Sequence, residues 1–186
     1  SSKTRSTFGA SEMNAMPMTA NADADLHDPG MIQASAKNDA ALAPGRRIIP
    51  CRFGNVEIGD DNIILFSRGL LGFEGRSEYA VLNLPTDKSD QFKFLQSLSD
   101  PALGFIVTEV SVVADVIDPS DLLEAYKQCD AEPSDALTLL IVSVRRGEAG
   151  IEMSANLRAP IIISVSQRSG RQHVMSNGRY PIRHPL

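Results

Sequence analysis

From residue 46 to its end, the chain repeatedly alternates apolar and polar side chains with the two-residue period of a β-strand. Val56 and Ile58 alternate with Asn55 and Glu57, and Ile63 to Phe66 is a short apolar run. Ala80, Leu82 and Leu84 share one face, with Tyr79, Val81 and Asn83 on the other. Phe92, Phe94, Gln96 and Leu98 alternate with Lys93, Leu95 and Ser97. Residues 104–113 and 137–144 are rich in aliphatic and β-branched side chains, and Ile151, Met153 and Ala155 alternate with Glu152 and Ser154. Short strands broken by frequent turns predict a mainly β fold, an antiparallel small β-barrel or sandwich.

Turn chemistry supports the divisions. Arg146-Gly147-Glu148-Ala149-Gly150 and Ser169-Gly170-Arg171 read as hairpin loops, because glycine reaches positive φ without steric cost. One short helix interrupts the strands. Asp118 is placed to cap it, Pro119 suits the first helical position, and Asp121 suits the positive end of the helix dipole. Leu122, Leu123 and Tyr126 form its apolar stripe, and Pro133 forbids a long continuation.

Residues 1–45 read differently. They hold ten alanines but only four large aliphatic or Phe residues, Phe8, Leu26, Ile32 and Leu42. Burial on that scale does not offset the entropy of ordering a chain, so the segment is expected to be a flexible N-terminal tail. Met13, Met16, Met18 and Met31 could give it a weakly adhesive patch. Residues 46–186 are expected to form the folded domain.

Composition then narrows the function. The net charge of −5 and a pI near 5.2 argue against a strongly basic, salt-sensitive nucleic-acid surface. No apolar run is of membrane-spanning length, and the N-terminus has no signal-peptide core. With only Cys51 and Cys129, a disulfide scaffold is excluded. The expectation is a cytoplasmic protein without a membrane partner.

The chemistry of a reaction centre is hard to find. His27, His173 and His184 have no metal-ligand spacing to one another or to a cysteine. Cys51 lies before the first predicted strand and Cys129 near the helix end; a catalytic cysteine needs an activating base, and the sequence proposes none for either. Gly69-Leu70-Leu71-Gly72 lacks the spacing of a P-loop or a dinucleotide fingerprint. The acid pairs Asp60-Asp61, Asp115 with Asp118, and Glu74 with Glu78 suit solvated turns and caps better than acid–base catalysis. No enzyme, cofactor, metal or small-molecule substrate is expected. Phe92, Phe94 and Phe105 could stack RNA bases on an open sheet, but their alternation with polar residues is that of core side chains.

Five segments carry a further signal: Phe53-Gly54 with Val56-Glu57-Ile58; Phe66-Ser67-Arg68-Gly69-Leu70-Leu71-Gly72-Phe73-Glu74; Phe94-Leu95-Gln96-Ser97-Leu98 with Ala102-Leu103-Gly104-Phe105-Ile106-Val107; Ala155-Asn156-Leu157-Arg158-Ala159-Pro160-Ile161-Ile162-Ile163; and Tyr180-Pro181-Ile182-Arg183. In this order they resemble the flagellar assembly factor FliW family, including its F-x-x-G-L-P-G-F-E turn and its A-N-L-[KR]-A-P-I segment. The chain departs from that pattern at Leu71, where the family usually has proline, and at Ser164, where asparagine is common.

The resemblance implies a non-enzymatic cytoplasmic regulator with two mutually exclusive partners. One is flagellin before export. The other is CsrA, an RNA-binding repressor of flagellin translation. Alternatives are a flagellin-binding chaperone without CsrA control and a β-sheet RNA-binding module. The residues expected to touch partners are Arg68, Phe73 and Glu74 in the first turn, and Asn156 and Arg158 in the later loop. The same residues also serve as turn builders: Gly69 and Gly72 bracket a tight turn that brings Phe66 and Phe73 to the core from two sides. Asn156 can bridge loop backbone groups, and Pro160 can start a strand where no donor is needed.

Overall fold

The computed structural model of the chain describes residues 44–84, 91–148 and 150–186. The expected tail lies, apart from a turn at residues 44–45, outside the described residues. Two strands open the domain as a hairpin, β1 (Arg46–Cys51) and β2 (Gly54–Gly59). Cys51 therefore ends a strand rather than preceding the first one. Its thiol donates to the carbonyl of Gly54 across the hairpin turn, at 3.2 Å. Then follow β3 (Ile63–Leu65), β4 (Glu78–Asn83), β5 (Phe92–Ser97) and β6 (Gly104–Glu109). The helix α1 (Pro119–Gln128) leads to β7 (Ala136–Gly147), β8 (Gly150–Ala155), β9 (Ile161–Ser164), β10 (Ser169–Gln172) and β11 (His184–Pro185).

The strand pairings close on themselves. β3 to β7 pair in succession, β7 also pairs with β9, β9 with β10, and β10 returns to β3. These seven strands form a ring whose pairings are antiparallel except the short parallel contact of β10 with β3. The expected small β-barrel is therefore present, with one α-helix among the described residues. β8 and β11 extend the sheet beyond the ring.

Inside the ring lie Ile64, Phe66, Leu70, Tyr79, Leu95, Val107, Leu139, Ile161 and Ile163. Their neighbours point the other way and meet two further layers. On one side, Ile63 and Ala80 are covered by Ile49 and Ile58 of the β1–β2 hairpin. On the other, Leu140 and Ile162 pack with Ile117, Ala125 and Tyr126 from the helical layer. Each fully buried aliphatic side chain contributes roughly 1.5–3 kcal/mol, so three layers give a small domain a large apolar core. This layering corrects the simple inside–outside alternation expected for β4 and β5. Tyr79 and Ala80 are both buried, as are Phe94, Leu95, Gln96 and Ser97.

Other expectations shift for local reasons. β6 stops at Glu109, and Val110–Val113 form a 3-10 turn. Leu123 is 46% exposed, so the helix buries Ala125 and Tyr126, with Leu122 and Cys129 packed beside them. That is the i, i+3, i+4, i+7 face of an α-helix, and Leu123 stands one position off it. Asp118 caps the helix as expected, accepting from the Ser120 N–H at 2.9 Å and its hydroxyl at 2.7 Å. Ser169-Gly170-Arg171 is not a hairpin loop but part of β10. The turn lies just before it, with Arg168 at φ 51°. Gly170 is small because the Phe66 ring occupies the place where a Cβ would stand. Sequence reading cannot separate a turn glycine from one that yields space to a ring.

Candidate interaction surface

The turn between β3 and β4 is built around one buried plug and two exposed apolar side chains. Phe66 and Leu70 are fully buried in the barrel end. The Gly69 N–H donates to the Phe66 carbonyl at 2.8 Å, and the Phe73 N–H to the Leu70 carbonyl at 2.8 Å. Gly69 has φ 70°, and a Cβ there would stand 2.6 Å from the Phe73 carbonyl oxygen. Both the backbone conformation and the close approach demand glycine. The result holds Leu71 52% and Phe73 39% exposed on the outside. Phe73 does not enter the core as expected; its ring stands edge-on to Phe105 at 5.2 Å.

The polar residues of this turn divide by role. The Glu74 carboxylate accepts from the Gly72 N–H at 3.2 Å. Hydrogen bonds from the backbone N–H groups of Glu74 itself and Gly72 hold its pKa below the usual glutamate value. Glu74 therefore braces the turn. Arg68 is exposed and makes no ion pair among the described residues.

The loop between β8 and β9 is braced more fully. Asn156 Oδ1 accepts from the N–H groups of Arg158 at 3.0 Å and Ala159 at 3.2 Å, the predicted Asx arrangement. Arg158 donates to the Asn177 carbonyl at 2.9 Å. Pro160 directly precedes β9, as expected, while its carbonyl accepts from the His173 N–H at 2.9 Å.

Gln172, a residue the sequence pattern does not single out, joins the two regions. Its Oε1 accepts from the Leu71 N–H at 3.0 Å, and its Nε2 donates to the Ala159 carbonyl at 3.1 Å. Leu71 occupies the position where the resemblance leads one to expect proline. Proline has no N–H, so this bond exists only because leucine stands there. The two groups of residues expected to touch partners thus lie at either end of one side chain's reach. The other departure, Ser164, is also used: its hydroxyl donates to Asp135 at 2.7 Å.

The remaining candidates for chemistry are dispersed. Burial pushes the Cys129 thiol pKa up, which disfavours the thiolate. Burial lowers the His173 pKa, with Glu124 opposing. Among the described residues no three His, Cys, Asp or Glu side chains converge as a metal site requires. Phe94, one of the possible stacking rings, is buried beneath Phe53 at 5.0 Å between ring centres. No helix among the described residues is long and apolar enough to cross a membrane.

The described residues thus form a small barrel whose braced turns hold apolar side chains outward on its surface. The family model described as FliW protein matches residues 47–186. The chain belongs to the FliW family. It is 34% identical over 141 residues to the flagellar assembly factor FliW of Syntrophus aciditrophicus, covering 75% of this chain and 87% of that protein. It is 32% identical over 135 residues to that of Thermotoga petrophila, covering 73% and 89%. A crystal structure of the flagellar assembly factor FliW superposes with a TM-score of 0.59 at 28% identity, covering 75% of this chain and 96% of that one.

Proposed function

We propose that this flagellar assembly factor works in the cytoplasm by binding flagellin before export and, in exclusion, the translational repressor CsrA. Capture of CsrA removes it from flagellin messenger RNA. When export draws flagellin away, the freed factor takes up CsrA and flagellin synthesis resumes. Output then follows the ratio of each partner's concentration to its dissociation constant. Family membership supports this reading, and the observation that carries it is the Arg68–Glu74 turn. Leu71 and Phe73 are held outward there on a glycine-locked backbone, beside Arg68, which makes no ion pair among the described residues. A rigid apolar anchor beside a free charge binds at low entropic cost. The net charge of −5 also suits a partner with a basic RNA-binding surface, through steering.

The test is calorimetric titration of the chain with CsrA and with flagellin. Both should bind, and each should displace the other. Phe73→Ala with Arg68→Glu should weaken at least one of them by about tenfold or more. Glu74 and Arg158 are poorer probes, because their side chains hold the loops. Absence of heat with either protein refutes the exclusion mechanism. Unchanged binding by the double variant removes this turn from it.

A further inference from the structure

A second surface lies on β7, away from the turn that the proposed function uses. The first half of β7 is enclosed: Ala136–Leu139 pair with β9, and Leu139–Ile141 pair with β6. Beyond Val142 the strand leaves the ring and pairs only with β8, through Ser143↔Ser154, Val144↔Met153, Arg145↔Glu152, Arg146↔Ile151 and Gly147↔Gly150. Its other edge is open.

The backbone groups on that edge can be assigned. The Asn156 N–H donates to the Ile141 carbonyl at 2.9 Å, so Ile141 faces the β8 side. Alternation in an antiparallel pair then turns Ser143 and Arg145 toward β8 and Val144 and Arg146 toward the open edge. The ladder with β6 ends at Ile141, and no strand among the described residues pairs with Val144 or Arg146 from that side. The edge thus presents a strand's hydrogen-bonding pattern with nothing in register against it.

The side chains along it specify an occupant. Val144 is 45% exposed, and Ile151, on the same face opposite Arg146, is 74% exposed. Arg145 and Arg146 are exposed and make no ion pair among the described residues, in a chain whose net charge is −5. Glu152 lies opposite Arg145 but bends away: its carboxylate covers Gly147, where a Cβ would collide with it. A second copy pairing on this edge would gather four guanidinium groups on one ladder, which like-charge repulsion disfavours. An extended segment with alternating apolar and acidic residues meets both demands: its apolar row covers Val144 on one face, and its carboxylates meet Arg145 on the other.

We propose that the open edge of β7 over Ser143–Gly147 binds an extended acidic–apolar segment of a partner protein by strand addition. Main-chain bonds to Val144 and Arg146 hold the segment, and Arg145 selects its charge.

The test uses the full chain labelled with nitrogen-15. It is titrated with a blocked peptide of about seven residues, a usual strand length, alternating valine and glutamate. A valine–lysine counterpart is the control. The acidic peptide should move the amide signals of residues 142–147 and slow hydrogen exchange at Val144 and Arg146. The lysine peptide should bind about tenfold more weakly or not at all. Arg145→Glu should invert that preference. Val144→Pro removes one donor on the open edge, where proline is tolerated, and should abolish binding while leaving the β8 ladder intact. Equal binding of the two peptides, or signal changes elsewhere, overturns the proposal. So does an Arg145→Ala, Arg146→Ala chain that self-associates in sedimentation yet binds neither peptide. The arginines would then serve only to keep edges apart. These outcomes are independent of CsrA and flagellin binding, so either reading can fail alone.

Discussion

The two halves of β7 make opposite use of one continuous strand. Residues 138–140 are buried on both faces: Leu139 points into the barrel, while Thr138 and Leu140 point toward the helix, where the Thr138 hydroxyl donates to the Tyr126 hydroxyl at 3.0 Å. Residues 143–146 are exposed on both faces. The switch falls where the partner strand changes from β9 to β8, at the braced Asn156–Pro160 loop. Burial therefore depends less on the strand's own pattern than on whether a second and a third layer reach it. The inner half serves stability, and the outer half is left available for contact.

The strongest way to break this contrast is to hollow the inner half. Leu140→Ala should cost about 3 kcal/mol, read as a lower denaturation midpoint in urea, because the helical layer cannot fully collapse onto the gap. A loss under about 1 kcal/mol would mean that the layer is loosely packed.

The junction comes next. Asn156→Ala leaves the N–H groups of Arg158 and Ala159 without their acceptor and should cost about 1–2 kcal/mol. If Asn156 only braces the loop, the affinities for the proposed partners, CsrA and flagellin, measured well below the melting temperature, should stay unchanged. A selective loss of affinity at full stability would instead give it a direct contact.

A pH effect marks the entrance to the inner half. Asp135 precedes β7 and accepts from the hydroxyls of Ser164 and Ser166, which hold its pKa below the ordinary aspartate value, with the Ser166 and Val165 N–H groups adding to this. With the folded pKa depressed, the stability it contributes is fully present above the unfolded value, about 4, and is lost as pH falls through the folded one. Melting temperature followed from pH 6 to about pH 3 should therefore fall less steeply in Asp135→Asn than in the parent. Parallel curves would show that the clasp does not depend on the charge.

The smallest effect belongs to the outer half. Ile151→Thr should change stability by no more than about 0.5 kcal/mol, since threonine keeps the β-branch and little buried area is lost. Differential scanning calorimetry on the same preparation would show it, and a large loss would mean that the outer half is not free in solution.

Much of this was legible beforehand. The capped helix, the Asx loop at Asn156 and the glycine-locked turn follow from chemistry within a few residues, and each stands where the sequence places it. The errors share a cause. Leu123 and Ile151 have the hydrophobicity of core residues but no layer above them. Gly170 looked like a turn because the ring of Phe66, distant in sequence, is what requires it. Gln172 could not be singled out at all. An exposed-looking glutamine gives no hint that it will span Leu71 and Ala159.

The sequence by itself determined the strand-rich class, the helix and its cap, and the turns whose backbone demands glycine or proline. It also carried the family, because the motif segments keep their order along the chain. Only the tertiary structure decided which strand faces are covered, that the ring closes through β9 and β10, and that the outer half of β7 pairs on one edge only. Local propensity acts over a few bonds, whereas burial and strand pairing are settled by residues brought together from far along the chain.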